Sequence, residues 1–376
     1  MNDTAPSLNR DSSDAVERTP DKPLIGVTMG DPGGIGAEVI VKALADPQLR
    51  SLGRFIVFGL DEMLSYAADR AEINPFWFRR PHEDVGPIES GVVVADYDEY
   101  VAFGPATTRP SVEGGCASLR FVDEAIEAAK QNRIDAIVTG PIHKISWRMA
   151  GCRFPGHTEK LAYAFKTPRV TMMFTAGRLR VSLATIHVGL CDIRNIFTIG
   201  CVFRAIDQLH DALRRWWDIE SPRIAVAGLN PHAGEGGQFG DEEERIIEPS
   251  MTMARQAGIE VDGPFPADTL FAARKRNIYD GIVAMYHDQG LIPVKMLAFD
   301  SAVNVTLGLP VIRASVDHGT AMDIAFKNRA NPGSMREALR LACQLAAGSR
   351  NLHGREPDDG NIVAGSSETP ISGKAT

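Results

Sequence analysis

Short apolar runs recur along the chain, each closing in a polar turn with Gly or Pro and leading into a stretch with helical character. The runs are LIGVTMG (24–30), RFIVFGL (54–60), GVVVADY (91–97), IDAIVTGP (134–141), VSLATIH (181–187), RIAVAGLNPH (223–232), DGIVAMYHD (280–288) and AVNVTLGLP (302–310). Helix-like stretches fall at 38–44, 117–131, 203–217, 242–257 and 335–347. Strands alternating with helices over most of the length predict an α/β protein with largely parallel sheets. No repeat at a fixed period is present. Residues 1–22 are polar and rich in Ser, Asp and Pro, which predicts a disordered arm, and 349–376 read as a similarly loose tail.

Composition narrows the class. With 44% hydrophobic and 23% charged residues, the chain is a soluble globular protein rather than a disordered, collagenous or fibrous one. At 376 residues it has room for two domains of ordinary size. No window approaches the apolar length of a membrane span, and the start has no apolar signal-peptide core, so the expected compartment is the cytoplasm. Five scattered cysteines without a CxxC pair read as small buried residues in a reducing compartment. The net charge of −8, with Lys and Arg dispersed, leaves no basic face for nucleic acid. An anionic ligand would have to be held by a few local cations inside a cleft.

In an open α/β sheet, ligands bind beyond the carboxyl ends of the strands, so the residues just after each apolar run carry the chemistry. Asp31 and Thr139-Gly140-Pro141 follow two runs, and His187, His232 and His287 end three more. If those strands are parallel, the histidines share one rim. Three neutral imidazoles can hold a divalent metal, or can be ordinary loop histidines bonded to backbone; spacing alone leaves both open. Phe154-Pro155-Gly156-His157-Thr158-Glu159 looks like a Gly turn opening a helix, either a seat for phosphate or carboxylate or a plain cap. The glycine-rich segments at 30–36 and 234–237 match neither a Walker loop nor GxGxxG with its downstream acid. A last dense segment runs from Ser315 to Ala325 as strand, turn and helix. Lys295, Asn304 and Arg313 precede it beside apolar runs, where Lys and Arg could clamp an anion or form surface salt bridges.

Together these motifs resemble the 4-hydroxythreonine-4-phosphate dehydrogenase family over about residues 23–345. The resemblance rests on MGDPGGIGAE (29–38), TGPIHK (139–144), FPGHTE (154–159), LNPHAGEGG (229–237), GPFPADTLF (263–271), MYHDQGLIP (285–293) and VNVTLGLPVIRASVDHGTAMDIA (303–325). It implies two α/β/α domains with a cleft between them, as in isocitrate and isopropylmalate dehydrogenases. Residues 23–150 with 314–348 would form the cofactor-side domain, and 151–313 the metal, substrate and dimer side.

The resemblance also implies roles. His187, His232 and His287 match three ligands of one divalent metal (Zn, Co, Mn or Mg), with one ligand crossing a homodimer interface. His157, Thr158, Lys295, Asn304 and Arg313 match substrate-binding positions, and Asp268 lies at the family's active site. Asp317, His318, Gly319 and Asp323 fall in the segment similar to the adenosine-binding one, implying NAD or NADP. The sequence departs from the family pattern at His143, where Asn is usual, and at Phe326-Lys327-Asn328, where a Gly-Lys-Gly-like run is common.

The implied reaction oxidises a hydroxyl β to a carboxylate by hydride transfer, after which the β-keto acid loses CO₂. Lys295 with Asp268 is assigned to take the hydroxyl proton. The implied substrate is an anionic small molecule, either 4-hydroxythreonine 4-phosphate or threonate or erythronate 4-phosphate. The alternative is a cis-dihydrodiol of an aromatic dicarboxylate such as terephthalate. A rival of another class is a metal-dependent hydrolase using the histidines to activate water. No membrane or nucleic-acid partner is expected.

Overall fold

The computed structural model describes residues 22–353 other than 101, 102, 105, 106 and 168. All but Lys22 of the arm expected over 1–22, and the tail beyond 353, lie outside the described residues. Residues 349–353 are not a loose tail: they continue the last helix, Gly333–His353. That helix packs on Ile199–Trp217, and a Cβ at Gly348 would stand 2.7 Å from the Trp216 carbonyl, so the contact needs glycine there.

Twelve strands form one sheet: β1 (Leu24–Thr28), β2 (Arg54–Gly59), β3 (Trp77–Pro81), β4 (Val92–Asp96), β5 (Ala136–Thr139), β6 (Thr171–Ala176), β7 (Leu179–Leu183), β8 (Ile224–Ala227), β9 (Val261–Phe265), β10 (Gly281–Ala284), β11 (Val303–Leu307) and β12 (Ile312–Ser315). Their spatial order is β3-β4-β2-β1-β5-β12-β11-β6-β7-β10-β8-β9. The α/β class and the predominantly parallel pairing follow the apolar runs. The antiparallel pairings are consecutive, β12–β11, β11–β6 and β6–β7. Because of these reversals, the parallel block from β3 to β12 runs opposite to the parallel block from β7 to β9. The sheet therefore changes sense in its middle.

The central strands are buried on both faces, as near-continuous apolar sequence requires. The helices Gly36–Leu44, Val112–Lys130, Ile199–Trp217 and Gly333–His353 supply the covering layers. Gly36 is held to glycine by close approach: a Cβ there would meet the Met29 carbonyl oxygen at 1.9 Å. Two strands without an apolar-run signature, β3 and β9, are the sheet's edges; β9 contains Pro264, whose missing N–H is tolerated at an edge.

The helix expected within 315–325 does not form. Residues 322–328 are turns, because Ala321, Phe326 and Asn328 adopt φ of 41°, 63° and 57°, and left-handed residues cannot continue a right-handed helix. Among the described residues, no helix is long and apolar enough to cross a membrane.

Candidate active site

Arg313 lies on β12, where the parallel block meets the first antiparallel neighbour, and is only 3% exposed. Its guanidinium donates from Nη1 to Thr306 Oγ1 at 3.1 Å and from Nη2 to Thr139 Oγ1 at 2.8 Å. Thr306 belongs to β11 and Thr139 to the end of β5, so three adjacent strands grip one cation. Both partners are neutral hydroxyls, and the buried Nε has no partner. Burial pulls the guanidinium down to about 10, opposed only by the field of Glu159. The folded protein therefore bears the cost of a buried cation at neutral pH. An anion beside the guanidinium would relieve that cost.

Other unpartnered polar atoms accompany it. Asn304 shares the Thr306 face of β11 by strand alternation, and its Oδ1 is buried without a partner. His157 opens the helix His157–Ala164 after Gly156, and its Nε2 is likewise buried and unpartnered. The imidazole stands edge-on to Trp147, with ring centroids 5.2 Å apart. Trp147 is itself fully buried and anchored by its Nε1–H to Ser118 Oγ at 3.0 Å. Burial, then Arg313 and Lys160, hold His157 well below the usual histidine range, so it is neutral at pH 7. Thr158 follows it, half-buried in the first turn.

The histidine-bearing strands β7, β10 and β8 are adjacent and parallel, so His187, His287 and His232 do leave one rim. Only two of them meet. The rings of His187 and His287 lie 5.8 Å apart between centroids. Burial, His287 and Lys144 push His187 down, leaving a neutral ring with a free lone pair. His287 bonds through Nδ1 to Asp288 Oδ1 at 2.7 Å, the outer carboxylate that commonly orients a ligating imidazole. His232 sits in the loop after β8 with its ring beside Phe239, 6.0 Å between centroids. Among the described residues, no three His, Cys, Asp or Glu side chains converge as a metal would need. The donor chemistry thus fits a divalent metal, with two of the three donors preassembled within one chain. Glu159, in the first turn after His157, acts electrostatically on both Arg313 and His187.

Lys295 does not pair with Asp268. Its Nζ forms an ion pair with Asp317 and lies 5.1 Å from the Phe299 ring centre, while Asp268 is exposed on the turn Ala267–Leu270. Pairing with Lys295 also commits Asp317, expected on the cofactor side. Beside it, His318 bonds through Nδ1 to the Gly319 carbonyl at 3.0 Å and keeps a buried, unpartnered Nε2. Gly319 and Asp323 are exposed, and a Cβ on Gly319 would touch nothing within 4 Å. Phe326 packs edge-on against Tyr66 at 5.6 Å and with it lines a small pocket beside Gly34 and Met63. His143 caps the helix Lys144–Met149 by accepting the Ile145 N–H at 3.2 Å, a task Asn performs equally well. Asp31 is buried beyond β1, accepts the Gly33 N–H at 3.0 Å, and has its carboxyl pushed up by burial.

Sequence reasoning did not single out Thr306 or Trp147, and it placed Thr139 and Glu159 only within the candidate segments 139–141 and 154–159, without a role for either side chain. The available signal was a hydroxyl within apolar strands, at the end of AIVT and inside VNVTL.

A buried cation with only hydroxyls for partners, beside an imidazole held neutral, is chemically suited to an anion, and with the histidine pair it marks a candidate enzyme site. Comparison with known proteins makes the class specific. Residues 52–342 match the family described as "Pyridoxal phosphate biosynthetic protein PdxA". The 4-hydroxythreonine-4-phosphate dehydrogenase of Geobacter metallireducens is 45% identical over 332 residues, 86% of this chain and 96% of that protein. The D-threonate 4-phosphate dehydrogenase of Cupriavidus necator is 45% identical over 329 residues, 86% of this chain and 97% of that protein. A crystal structure of the Klebsiella pneumoniae 4-hydroxythreonine-4-phosphate dehydrogenase superposes with a TM-score of 0.77 at 37% identity, covering 86% of this chain and 99% of that one. The chain belongs to the PdxA family and is an oxidoreductase.

The isolated cation gives a direct test. Arg313→Met should leave the ligand-free protein unchanged or stabilise it by about 1–4 kcal/mol, since an apolar side chain replaces a desolvated charge. Inorganic phosphate should raise the thermal midpoint of the unmodified protein and leave that of Arg313→Met unmoved. A variant that still responds to phosphate would place the anion elsewhere.

Proposed function

We propose that this protein oxidises the hydroxyl β to the carboxylate of a 4-phosphorylated hydroxy acid, and that the product loses CO₂. The substrate class is 4-hydroxythreonine 4-phosphate or threonate or erythronate 4-phosphate. The observation that carries this reading is Arg313, a buried cation held by two threonine hydroxyls and lacking a carboxylate. Both named relatives act on 4-phosphorylated compounds, which agrees with an anion at that seat.

Arg313, His157 and Thr158 bind the phosphate. The guanidinium supplies charge, and the neutral imidazole supplies a hydrogen bond without a second desolvated cation. Asn304 satisfies its orphaned Oδ1 on a substrate donor. Fixing the remote anion positions the reacting hydroxyl, so binding energy spent there appears in the rate. Lys295 Nζ exchanges the hydroxyl proton, with Asp317 rather than Asp268 as its carboxylate within the chain. Residues 317–323 would hold NAD or NADP, which would supply the hydride acceptor. His187 and His287 would hold a divalent metal, which would supply Lewis acidity at the reacting oxygen. The third imidazole, His232, comes from a second copy in a homodimer, because two of the three donors meet in one chain and the third does not.

Turnover with NAD and metal tests the reaction. A 4-phosphorylated hydroxy acid should exceed its dephosphorylated form by about a hundredfold or more in kcat/KM, with part of the loss in kcat. An aromatic cis-dihydrodiol dicarboxylate turned over a hundredfold better than every phosphate ester would overturn the phosphate reading.

Mixing inactive variants tests the shared site. His187→Ala refolded with His232→Ala should recover about a quarter of the native sites, since each heterodimer keeps one complete set. His187→Ala with His287→Ala should recover none, because those ligands belong to the same chain. Recovery in the second mixture, or full activity of a monomer in sedimentation, contradicts the arrangement.

A further inference from the structure

The loop that carries His232 holds a conformation that its own backbone preferences oppose. His232, Ala233, Gly234, Glu235, Gly236 and Gly237 all have positive φ, at 54°, 54°, 79°, 42°, 65° and 90°. Three of these are not glycine, and in that region Cβ crowds the following carbonyl. Consecutive strained residues persist only where surrounding structure over-determines them.

One buried carboxylate does so here. Glu243, 5% exposed, begins the π-helical turn Glu243–Ile247. Its Oε1 accepts the backbone N–H groups of Leu229 at 2.7 Å and Asn230 at 2.8 Å. Its Oε2 accepts Asn230 Nδ2 at 2.9 Å, and the same amide donates to Glu242 Oε2 at 2.7 Å. Two glycines close on the carboxylate: a Cβ on Gly234 would stand 2.8 Å from Oε2, and one on Gly228 3.1 Å from Oε1. The carboxylate thus braces the backbone of Leu229 and Asn230 just before His232 through Oε1, and packs through Oε2 against the Asn230 amide and Gly234 just after it.

We infer that Glu243 is the positioning residue for His232, fixing the loop so that this imidazole is presented outward in one orientation to a metal centre completed by a second copy. This rests on the reading of His232 as a metal ligand. Groups bonded directly to a metal ligand are worth roughly tenfold to a hundredfold in metal affinity; Glu243 acts one step further out, through the backbone that carries His232. Glutamine retains one oxygen for the two N–H groups and can pair with a turned Asn230 amide, whereas aspartate keeps the charge but is a methylene short.

The test is Co²⁺ affinity of the full-length protein, measured by chelator competition, with thermal midpoint recorded alongside. Glu243→Ala and Glu243→Asp should bind Co²⁺ at least about tenfold more weakly, and Glu243→Gln within about threefold of the unmodified chain. Gly36→Ala controls for lost stability, since it strains a helix start away from the loop and should not weaken Co²⁺ binding. If Glu243→Ala fails to fold, Glu243→Asp decides. Weak binding in His232→Ala with unchanged affinity in Glu243→Asp overturns the inference and leaves the ligand reading standing. Unchanged affinity in His232→Ala overturns the ligand reading, and this inference with it.

Discussion

The guanidinium of Arg313 is the constraint on which the rest depends. A desolvated cation is costly, and two threonine hydroxyls return only part of that cost. The sheet nevertheless builds it in at β12, with Thr139 reaching from β5 and Thr306 from β11. These strands lie where the parallel order first breaks, so the reversal of strand direction gathers hydroxyl partners from both sides of one cation. Stability is lost at that point, and an anion bound there would restore it. A seat formed in advance needs little reorganisation when its ligand binds.

Around this cation the other groups are arranged by charge. His157 is kept neutral by burial and by Arg313 itself, so it adds a hydrogen bond and no second charge. His187 is kept neutral by burial and by its neighbour His287, the state in which imidazole binds a metal. Glu159 lies in the field of both Arg313 and His187 and is the negative element common to the two halves of the site. The pairing of Lys295 with Asp317 brings the helix that starts at His287 against the segment expected to seat the cofactor.

Much of this was legible in the sequence, for physical reasons. Strands buried on both faces must be apolar throughout, so most of the strands appeared as apolar runs, and the histidines closing three runs were bound to share a rim once those strands proved parallel. The edge strands β3 and β9, with WFRRP and VDGPF, carry no such signature because one side of an edge is solvated. The helix expected within 315–325 failed because apolar periodicity does not report left-handed φ at Ala321 and Phe326. The partners of Arg313 were hidden by distance along the chain: Thr139 lies 174 residues away, and only the sheet order makes them neighbours. The Lys295–Asp317 pair was hidden likewise, while the resemblance pointed to Asp268. The motifs named candidate residues; which of them touch was a property of the fold.

The most direct measurement is a crystal structure of the protein with a 4-phosphorylated hydroxy acid bound. The account predicts phosphate oxygens within hydrogen-bond distance of the Arg313 guanidinium and of His157 Nε2, with Thr139 and Thr306 still holding Arg313. A substrate phosphate seated elsewhere, with Arg313 still lacking an anionic partner, would contradict it.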